Sequence, residues 1–351
     1  MKRVLVTGGA GFIGSHTCLT LLEKGYEVLV VDSLINSSIK SLQRVCEIAK
    51  IKNKLNHERI FFNKGDLRDK DFLQGVFIHS KKIGKPINGV IHFAGLKAVN
   101  ESLEFPLKYW DMNVNGTINL LNVMNENNCR KIVFSSSATI YAHSSKSIID
   151  EKSKINPINP YGSTKMVVEK LLEDVFNSMP NEWRIINLRY FNPIGAHSSG
   201  LIGESPLGSP SNIFPSITQV AAGKLDYFKV YGNDWPTLDG TCIRDFIHVT
   251  DLAEGHISAL ECLENNQSQI RNFNLGTGIG TSVMQLLKTF QEVNNIELPL
   301  KFMSRRKGDI PKVIADNSMA IKILKWNPKK NLEQMCSDGW KWQKLNPNGY
   351  F

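Results

Sequence analysis

Little in this chain suggests a covalent or metal framework. Its 351 residues hold six cysteines (Cys18, Cys46, Cys129, Cys242, Cys262 and Cys336), scattered and without a CxxC pair. That spacing fits reduced thiols and argues against a disulfide scaffold or a structural zinc site. Long hydrophobic runs are missing as well. The opening MKRVLVTGG offers three successive apolar residues before glycines interrupt, far short of a signal-peptide core or a membrane span. The expectation is a cytoplasmic protein with no membrane partner. Internal repeats, low-complexity tracts and charge blocks of the kind that mark disordered tails are absent too.

The net charge of +9 is spread along the chain, with short clusters only at 50–54 (KIKNK) and 305–307 (RRK). Nucleic-acid surfaces concentrate their cations, so no nucleic-acid partner is expected. One or two arginines in a cleft are enough for a small anionic substrate such as a sugar diphosphate.

What the chain does contain is a globular composition, 42% hydrophobic and 21% charged. Apolar runs at 3–7, 26–31, 59–62, 89–93, 131–135 and 184–188 each precede a segment of helical period. Continuous apolar strands alternating with helices predict a parallel sheet covered on both faces, a Rossmann-type doubly wound α/β fold. After Tyr190 the texture changes: 25 residues, 191–215, are crowded with glycine, proline and serine. Helical patterns return near 213–223, 250–264, 282–294 and 331–345, with short strands near 227–231 and 299–303. The reading is two domains, 1–191 for a dinucleotide and a smaller mixed α/β substrate domain at 192–351. The segment 241–264 is a candidate to pack back onto the first.

Between the first strand and its helix, VLVTGGAGFIG (4–14) places Gly8, Gly11 and Gly14. Gly8 suits a sharp turn, Gly11 the approach of a pyrophosphate to backbone amides, and Gly14 close helix packing. Asp32 ends the second strand, where a carboxylate binds ribose hydroxyls, and no arginine follows to accept a 2′-phosphate. That combination points to NAD rather than NADP. Asp66-Leu67 and Phe93-Ala94-Gly95 follow the third and fourth strands, where such folds bind ligands.

Chemistry concentrates around SSSATIY (135–141) and PYGSTK (160–165). Tyr161 and Lys165 stand four apart on a helix beginning just after Pro160, so both face one side. A phenol is a poor base at neutral pH; a neighbouring ammonium and a positive nicotinamide ring can together bring it toward neutrality, a change of about 4 kcal/mol. Ser137 can hold the substrate oxygen as carbonyl character develops. Singly each feature is bland, since a serine triplet is often a turn. Their order along the chain is what a nicotinamide site requires.

These residues resemble the extended short-chain dehydrogenase/reductase family and, within it, the UDP-glucose 4-epimerases. The likeness covers the whole chain through VLVTGGAGFIGSHT (4–17), VIHFAGLKAVNES (90–102), NVNGT (113–117), FSSSATIY (134–141), LRYFNPIGAH (188–197), GNDWPTLDGTCIRDFIHVTDLAEGH (232–256), NLGTG (274–278) and RRKGDIP (305–311). The resemblance implies Tyr161 as base, Lys165 as its electrostatic partner and Ser137 as the substrate-oxygen holder. It implies an NAD site of Gly8, Gly11, Phe12, Ile13, Gly14, Asp32, Ser33, Asn36, Asp66, Leu67, Phe93, Ala94, Gly95, Lys97, Asn113, Ser135 and Tyr190, besides Tyr161 and Lys165. It gives the UDP-sugar to Ser137, Asn192, Asn212, Ile213, Tyr231, Arg244, Arg306, Asp309 and Val313.

On this likeness the chain interconverts UDP-glucose and UDP-galactose through a 4-keto sugar. Arg244 and Arg306 read equally as surface charge or as diphosphate partners, and Asp309 can accept ribose hydroxyls. No metal is expected: Asp245, His248 and Asp251 lack zinc-type spacing, and Thr250-Asp251 reads as a helix cap. A 4,6-dehydratase or decarboxylase on the same scaffold is the nearest rival. The dehydratase pattern sets Asp-Glu after the active-site hydroxyl, where this chain has Ala138-Thr139. A non-catalytic NAD sensor is a further rival. Ala142 stands where glycine is usual, and Phe12 where tyrosine is common. Val313 stands where epimerases restricted to unacetylated sugars tend to carry tyrosine; the valine reads equally as room for an N-acetyl group or as a tolerated residue in a pocket that other groups close. The resemblance also implies a homodimer through helices near 103–128 and 161–178.

Overall fold

The computed structural model describes residues 1–50, 58–141, 148–208, 210, 212–265, 267–306 and 308–350. Ala142, most of the cluster at 50–54, and Lys307 lie outside the described residues.

The six apolar runs all form strands: Arg3–Thr7, Glu27–Asp32, Ile60–Lys64, Ile87–His92, Lys131–Ser137 and Arg184–Tyr190. With Gln269–Leu275 they build one seven-stranded sheet. Counted along the chain, its order is 3-2-1-4-5-6-7. Every pairing from Ile60–Lys64 across to Lys131–Ser137 is parallel. The order reverses between Arg3–Thr7 and Ile87–His92, and it is outside the carboxyl ends of strands at such a switch point that doubly wound sheets bind ligands. Val4, Leu5, Val6, Val28, Val30, Val90 and Ile91 are all essentially inaccessible, as strands covered on both faces require.

Two compact units result. The first comprises Met1–Ala142, Ile155–Arg189 and Ala253–Phe273; the second comprises His143–Lys154, Tyr190–Leu252 and Asn274–Phe351. Within the first, a core of Leu5, Leu29, Leu120, Met124, Phe134, Leu172 and Trp183 lies between sheet and helices. The region expected to be helical near 103–128 is broken into Val99–Glu104, Pro106–Trp110, a π-helical turn Asp111–Asn115 and Gly116–Glu126. Pro106 enforces the first break, because it cannot donate into a continuing helix.

The second unit centres on the strand Ile243–His248, flanked by Gly280–Ser282, Lys312–Ala315 and Asn192–Ile194. The strands expected near 227–231 and 299–303 pair with each other in parallel as Phe228–Tyr231 and Leu300–Met303. Phe214, Ile217, Leu286, Phe290, Met335 and Trp340 fill its own core. Among the described residues no helix is long and apolar enough to cross a membrane.

Candidate active site

Glycines form the turn between the first strand and its helix. Gly8 sits at φ +70°, and a Cβ there would lie 2.7 Å from the Ala94 amide nitrogen. Gly14 packs against the turn itself rather than against the body of the sheet: its Cβ would fall 2.3 Å from the Gly8 carbonyl oxygen. At Gly11 a Cβ would meet only that same oxygen, at 3.3 Å. Gly11 N-caps the helix Phe12–Glu23 with no side-chain cap and no acidic residue in the first turn. The positive end of the helix is therefore left for an external anion. Phe12 and Ile13 are half-buried there.

Asp32 is 7% exposed and accepts from the Ala10 amide (3.0 Å), the Leu34 amide (2.9 Å) and the Ser37 hydroxyl (2.8 Å). These bonds aim the carboxylate and leave part of its four-site acceptor capacity for ribose hydroxyls. A fixed, buried anion also repels a 2′-phosphate. Ser33 beside it is half-buried and Asn36 exposed. Asp66 is bound by Arg68, whose guanidinium holds its carboxyl below the usual range. Leu67 is buried next to it. Glycine cradle, uncapped helix end and aimed carboxylate together fit a dinucleotide.

Phe93 and Ala94 donate their amides to the Thr7 carbonyl, tying the two switch-point strands together just beyond their ends. His92 bridges Thr7 Oγ1 (2.7 Å) and Thr117 Oγ1 (2.9 Å). Burial pushes its imidazole down to about 3, so the bridge is neutral. Asn113, in the π-helical turn, accepts from the Leu96 amide (2.7 Å) and donates to the Leu96 carbonyl (3.1 Å) and Thr164 Oγ1 (3.0 Å). It shapes the loop 95–97, and a Cβ on Gly95 would meet its Oδ1 at 2.9 Å. Lys97 is exposed.

Tyr161 and Lys165 lie on the helix Pro160–Ser178, which begins at Pro160 itself. Its N-cap Asn159 accepts from the Gly162 amide at 2.8 Å. Both side chains are buried. Lys165 Nζ donates to the Ser135 carbonyl (2.7 Å) and lies 4.8 Å from the Phe134 ring centre. Ser137 hydrogen-bonds Tyr161, and its Oγ accepts from the Thr139 amide (3.2 Å) and hydroxyl (2.9 Å). The geometry brings the Tyr161 phenol, the Lys165 ammonium and the Ser137 hydroxyl together.

Burial raises the Tyr161 phenol, with the Ser137 hydrogen bond pulling the other way. Burial also lowers the Lys165 ammonium to about 8, opposed by Glu169. The protein alone therefore does not activate the phenol, because desolvation outweighs its neighbours.

The second unit gathers its own cluster. Arg306 Nε donates to Asp309 Oδ2 (3.0 Å), and Arg244 Nη2 lies 3.6 Å from Asp309 Oδ1. The Arg306 guanidinium stacks 4.8 Å from the Tyr231 ring centre. Arg244 is also pinned by the Ile243 and Ile310 carbonyls and pairs in register with Val313. Two cations on one carboxylate leave a net positive group suited to a diphosphate. Asn192 pairs with Phe246 in the sheet, Tyr190 is buried, and Ile213 opens a helix. Asn212 is exposed and donates to Glu204 at 3.0 Å.

Asp251 corrects the sequence reading. It caps no helix of its own; Oδ2 accepts from the Lys329 (2.9 Å) and Lys330 (2.8 Å) amides. His248 Nδ1 instead accepts from the Thr250 amide, 3.1 Å away. Asp245 accepts four bonds, from the amides of Thr277, Gly278 and Ala315 and the Thr277 hydroxyl. It ties the Arg244 strand to the 276–278 turn.

Sequence reasoning missed Thr139, His92 and a buried Ser136–Glu169–Arg189 chain. The Thr-to-Ser spacing in SSSAT was the available signal for the first; the others carry none until the fold is known. An open cleft lined by Lys81, Arg130, Lys131 and Arg184 lies at the amino ends of the strands. Arg130 there is paired with Glu182. That edge is opposite the one where doubly wound folds bind ligands.

The family model described as GDP-mannose 4,6 dehydratase matches residues 5–339. UDP-glucose 4-epimerase of Bacillus subtilis (strain 168) is 48% identical over 347 residues, covering 99% of this chain and 98% of that one. Among solved structures, UDP-glucose-4-epimerase from Stenotrophomonas maltophila, with bound NAD and formylated UDP-arabinopyranose, superposes with a TM-score of 0.93 at 42% identity, covering 99% of both chains. The enzyme from Bifidobacterium longum, in complex with NAD+ and UDP, gives 0.91 at 43% identity, covering 99% of this chain and 100% of that one.

Proposed function

Because this chain belongs to the UDP-glucose 4-epimerase family, we propose that it interconverts UDP-glucose and UDP-galactose with Tyr161, Lys165 and Ser137 as its catalytic residues. The observation that carries the assignment of roles is the convergence of the Tyr161 hydroxyl, the Ser137 hydroxyl and the Lys165 ammonium around the end of one strand. NAD, when bound, supplies the hydride acceptor and donor and a positively charged ring.

Tyr161 takes the proton of the sugar 4-hydroxyl and later returns it. Ser137, oriented by Thr139, holds the same oxygen while it passes through carbonyl character. Lys165, fixed by the Ser135 carbonyl, stabilises the phenolate form. Arg244 and Arg306 grip the diphosphate, and Asp309 accepts from the uridine ribose. Anchoring only the nucleotide end leaves the sugar free to present its other face. Ala138 and Thr139 follow Ser137, so no Asp-Glu pair is there to dehydrate the 4-keto sugar.

On this reading the first unit carries cofactor and chemistry, and the second holds UDP. The finer boundary at 191 belongs to the proposal. So does a homodimer: Leu103, Phe105, Leu107 and Ile118 expose an apolar set along the 103–126 helices, which a second copy would cover.

The test is direct. Purified protein mixed with UDP-galactose forms UDP-glucose without added cofactor, and Tyr161→Phe abolishes the reaction while retaining NAD. Retained NAD without interconversion by the wild type would support the sensor reading instead.

A further inference from the structure

The helix Pro160–Ser178 and the strand Lys131–Ser137 are joined by three polar links, of which the chemistry above uses two. Ser137 hydrogen-bonds Tyr161, and the Ser135 carbonyl takes the Lys165 ammonium. The third joins the residue between them: the Ser136 hydroxyl donates to Glu169 Oε1. Tyr161, Lys165 and Glu169 follow one another at four-residue steps, so one helix face presents all three to the strand.

Glu169 is itself fixed. Arg189 Nε donates to its Oε1 (3.0 Å) and Oε2 (3.2 Å), and Arg189 Nη2 to its Oε2 (2.6 Å). Arg189 Nη1 donates to the Tyr141 hydroxyl oxygen (3.1 Å), and the guanidinium lies 5.3 Å from that ring's centre. Ser136, Glu169 and Arg189 are all buried. A buried ion pair is a poor stabilising device, since well-packed apolar residues generally do as well, whereas fixing one arrangement is a use such pairs can serve. Ser136 stands between Ser135 and Ser137, so a rotation of its backbone displaces the carbonyl before it and the hydroxyl after it together.

We propose that Glu169, clamped by Arg189, is a positioning residue of the reaction: through Ser136 it sets the 135–137 segment against Lys165 and Tyr161. The inference rests on the catalytic reading of those two residues. Glu169 touches the chemistry only through its neighbours.

Ser136→Ala severs the link and leaves the ion pair intact; Glu169→Gln keeps an acceptor for Ser136 but weakens the clamp. Each variant is expected to lose about 10- to 100-fold in kcat, with KM for UDP-galactose changed by less than about twofold. The rise of reduced-nicotinamide absorbance on mixing with substrate should slow in parallel. The double variant should be no slower than the slower single one, because both cut the same chain of contacts. Wild-type kcat in folded, NAD-retaining Ser136→Ala overturns the proposal, as do losses that multiply in the double variant. Should Glu169→Gln not fold, Ser136→Ala alone decides. A wild type inactive on UDP-galactose overturns the parent reading, an outcome distinct from an active wild type matched by Ser136→Ala.

Discussion

Lys165 Nζ donates to the Ser135 carbonyl over 2.7 Å, two residues before the serine that hydrogen-bonds Tyr161. One strand end thus holds partners of both Lys165 and Tyr161. Burial brings the Lys165 ammonium from 10.5 down to about 8. In cofactor-free protein the sign follows from proton counts. Below pH 8 both folded and unfolded chains carry the charge, and the folded one bears its full burial cost. Between about 8 and 10.5 the unfolded chain binds more protons, so the folded state gains stability as pH rises; above 10.5 the cost is gone. Unfolding titrations of wild type and Lys165→Met should therefore diverge by about 3 kcal/mol across that window, with wild type improving relative to the variant as pH rises. A constant difference would mean that Lys165 is not desolvated. Epimerization by the variant should fall at least about 100-fold, since it loses the cation beside the base.

Gly14→Ala sets a Cβ against backbone, 2.3 Å from the Gly8 carbonyl oxygen, with no flexible side chain to yield. A loss of about 1–3 kcal/mol in stability is expected, together with weaker NAD retention. Gly25→Ala is the control: at φ +82° its Cβ would meet nothing within 4 Å. Its cost should be the left-handed strain alone, about 1–2 kcal/mol, with NAD retained. Thermal unfolding and the nicotinamide content of the purified variants measure both.

The contrast shows which parts of the molecule were legible in the sequence. Val4-Leu5-Val6 and Val28-Leu29-Val30-Val31 announced strands because burial on both faces demands unbroken apolar runs. The edge strand Gln269–Leu275 escaped, since Gln269, Arg271 and Asn272 interrupt its apolar pattern and only its end is buried. Tyr161 and Lys165 were legible through their four-residue step. The rise of the Tyr161 phenol was not, because desolvation depends on what surrounds the helix. Nor was the Glu169–Arg189 pair, whose members are 20 residues apart and meet only once helix and sheet pack. Asp251 looked like a cap because its partners, the Lys329 and Lys330 amides, are distant in the chain.

Arg189→Met should cost about 3–5 kcal/mol, since it strands the Glu169 carboxylate in the interior. Arg189→Met/Glu169→Met should recover most of that stability but stay well below wild-type activity, because no carboxylate is left to accept from Ser136. Chemical denaturation and kcat, measured on the same preparations, separate the two effects. Recovery of both would reduce the pair to a structural element.

Val313 is half-buried in the strand Lys312–Ala315, in register with Arg244. A valine there leaves space that tyrosine would fill. The enzyme is expected to turn over UDP-N-acetylglucosamine and UDP-N-acetylgalactosamine as well, and Val313→Tyr to lose that activity selectively. A discrimination of about 10- to 200-fold is what one pocket change of this kind supplies. No turnover of acetylated sugars by the wild type, or equal loss on both substrate pairs, would contradict the assignment.

The central claim is that the hydrogen leaving C4 returns to C4, carried on bound cofactor while Tyr161 handles only the hydroxyl proton. UDP-galactose deuterated at C4, converted in ordinary water, tests it most directly. The UDP-glucose formed should retain its deuterium at C4. Exchange of that label with solvent, or accumulation of a 6-deoxy-4-keto sugar in place of UDP-glucose, would contradict the account.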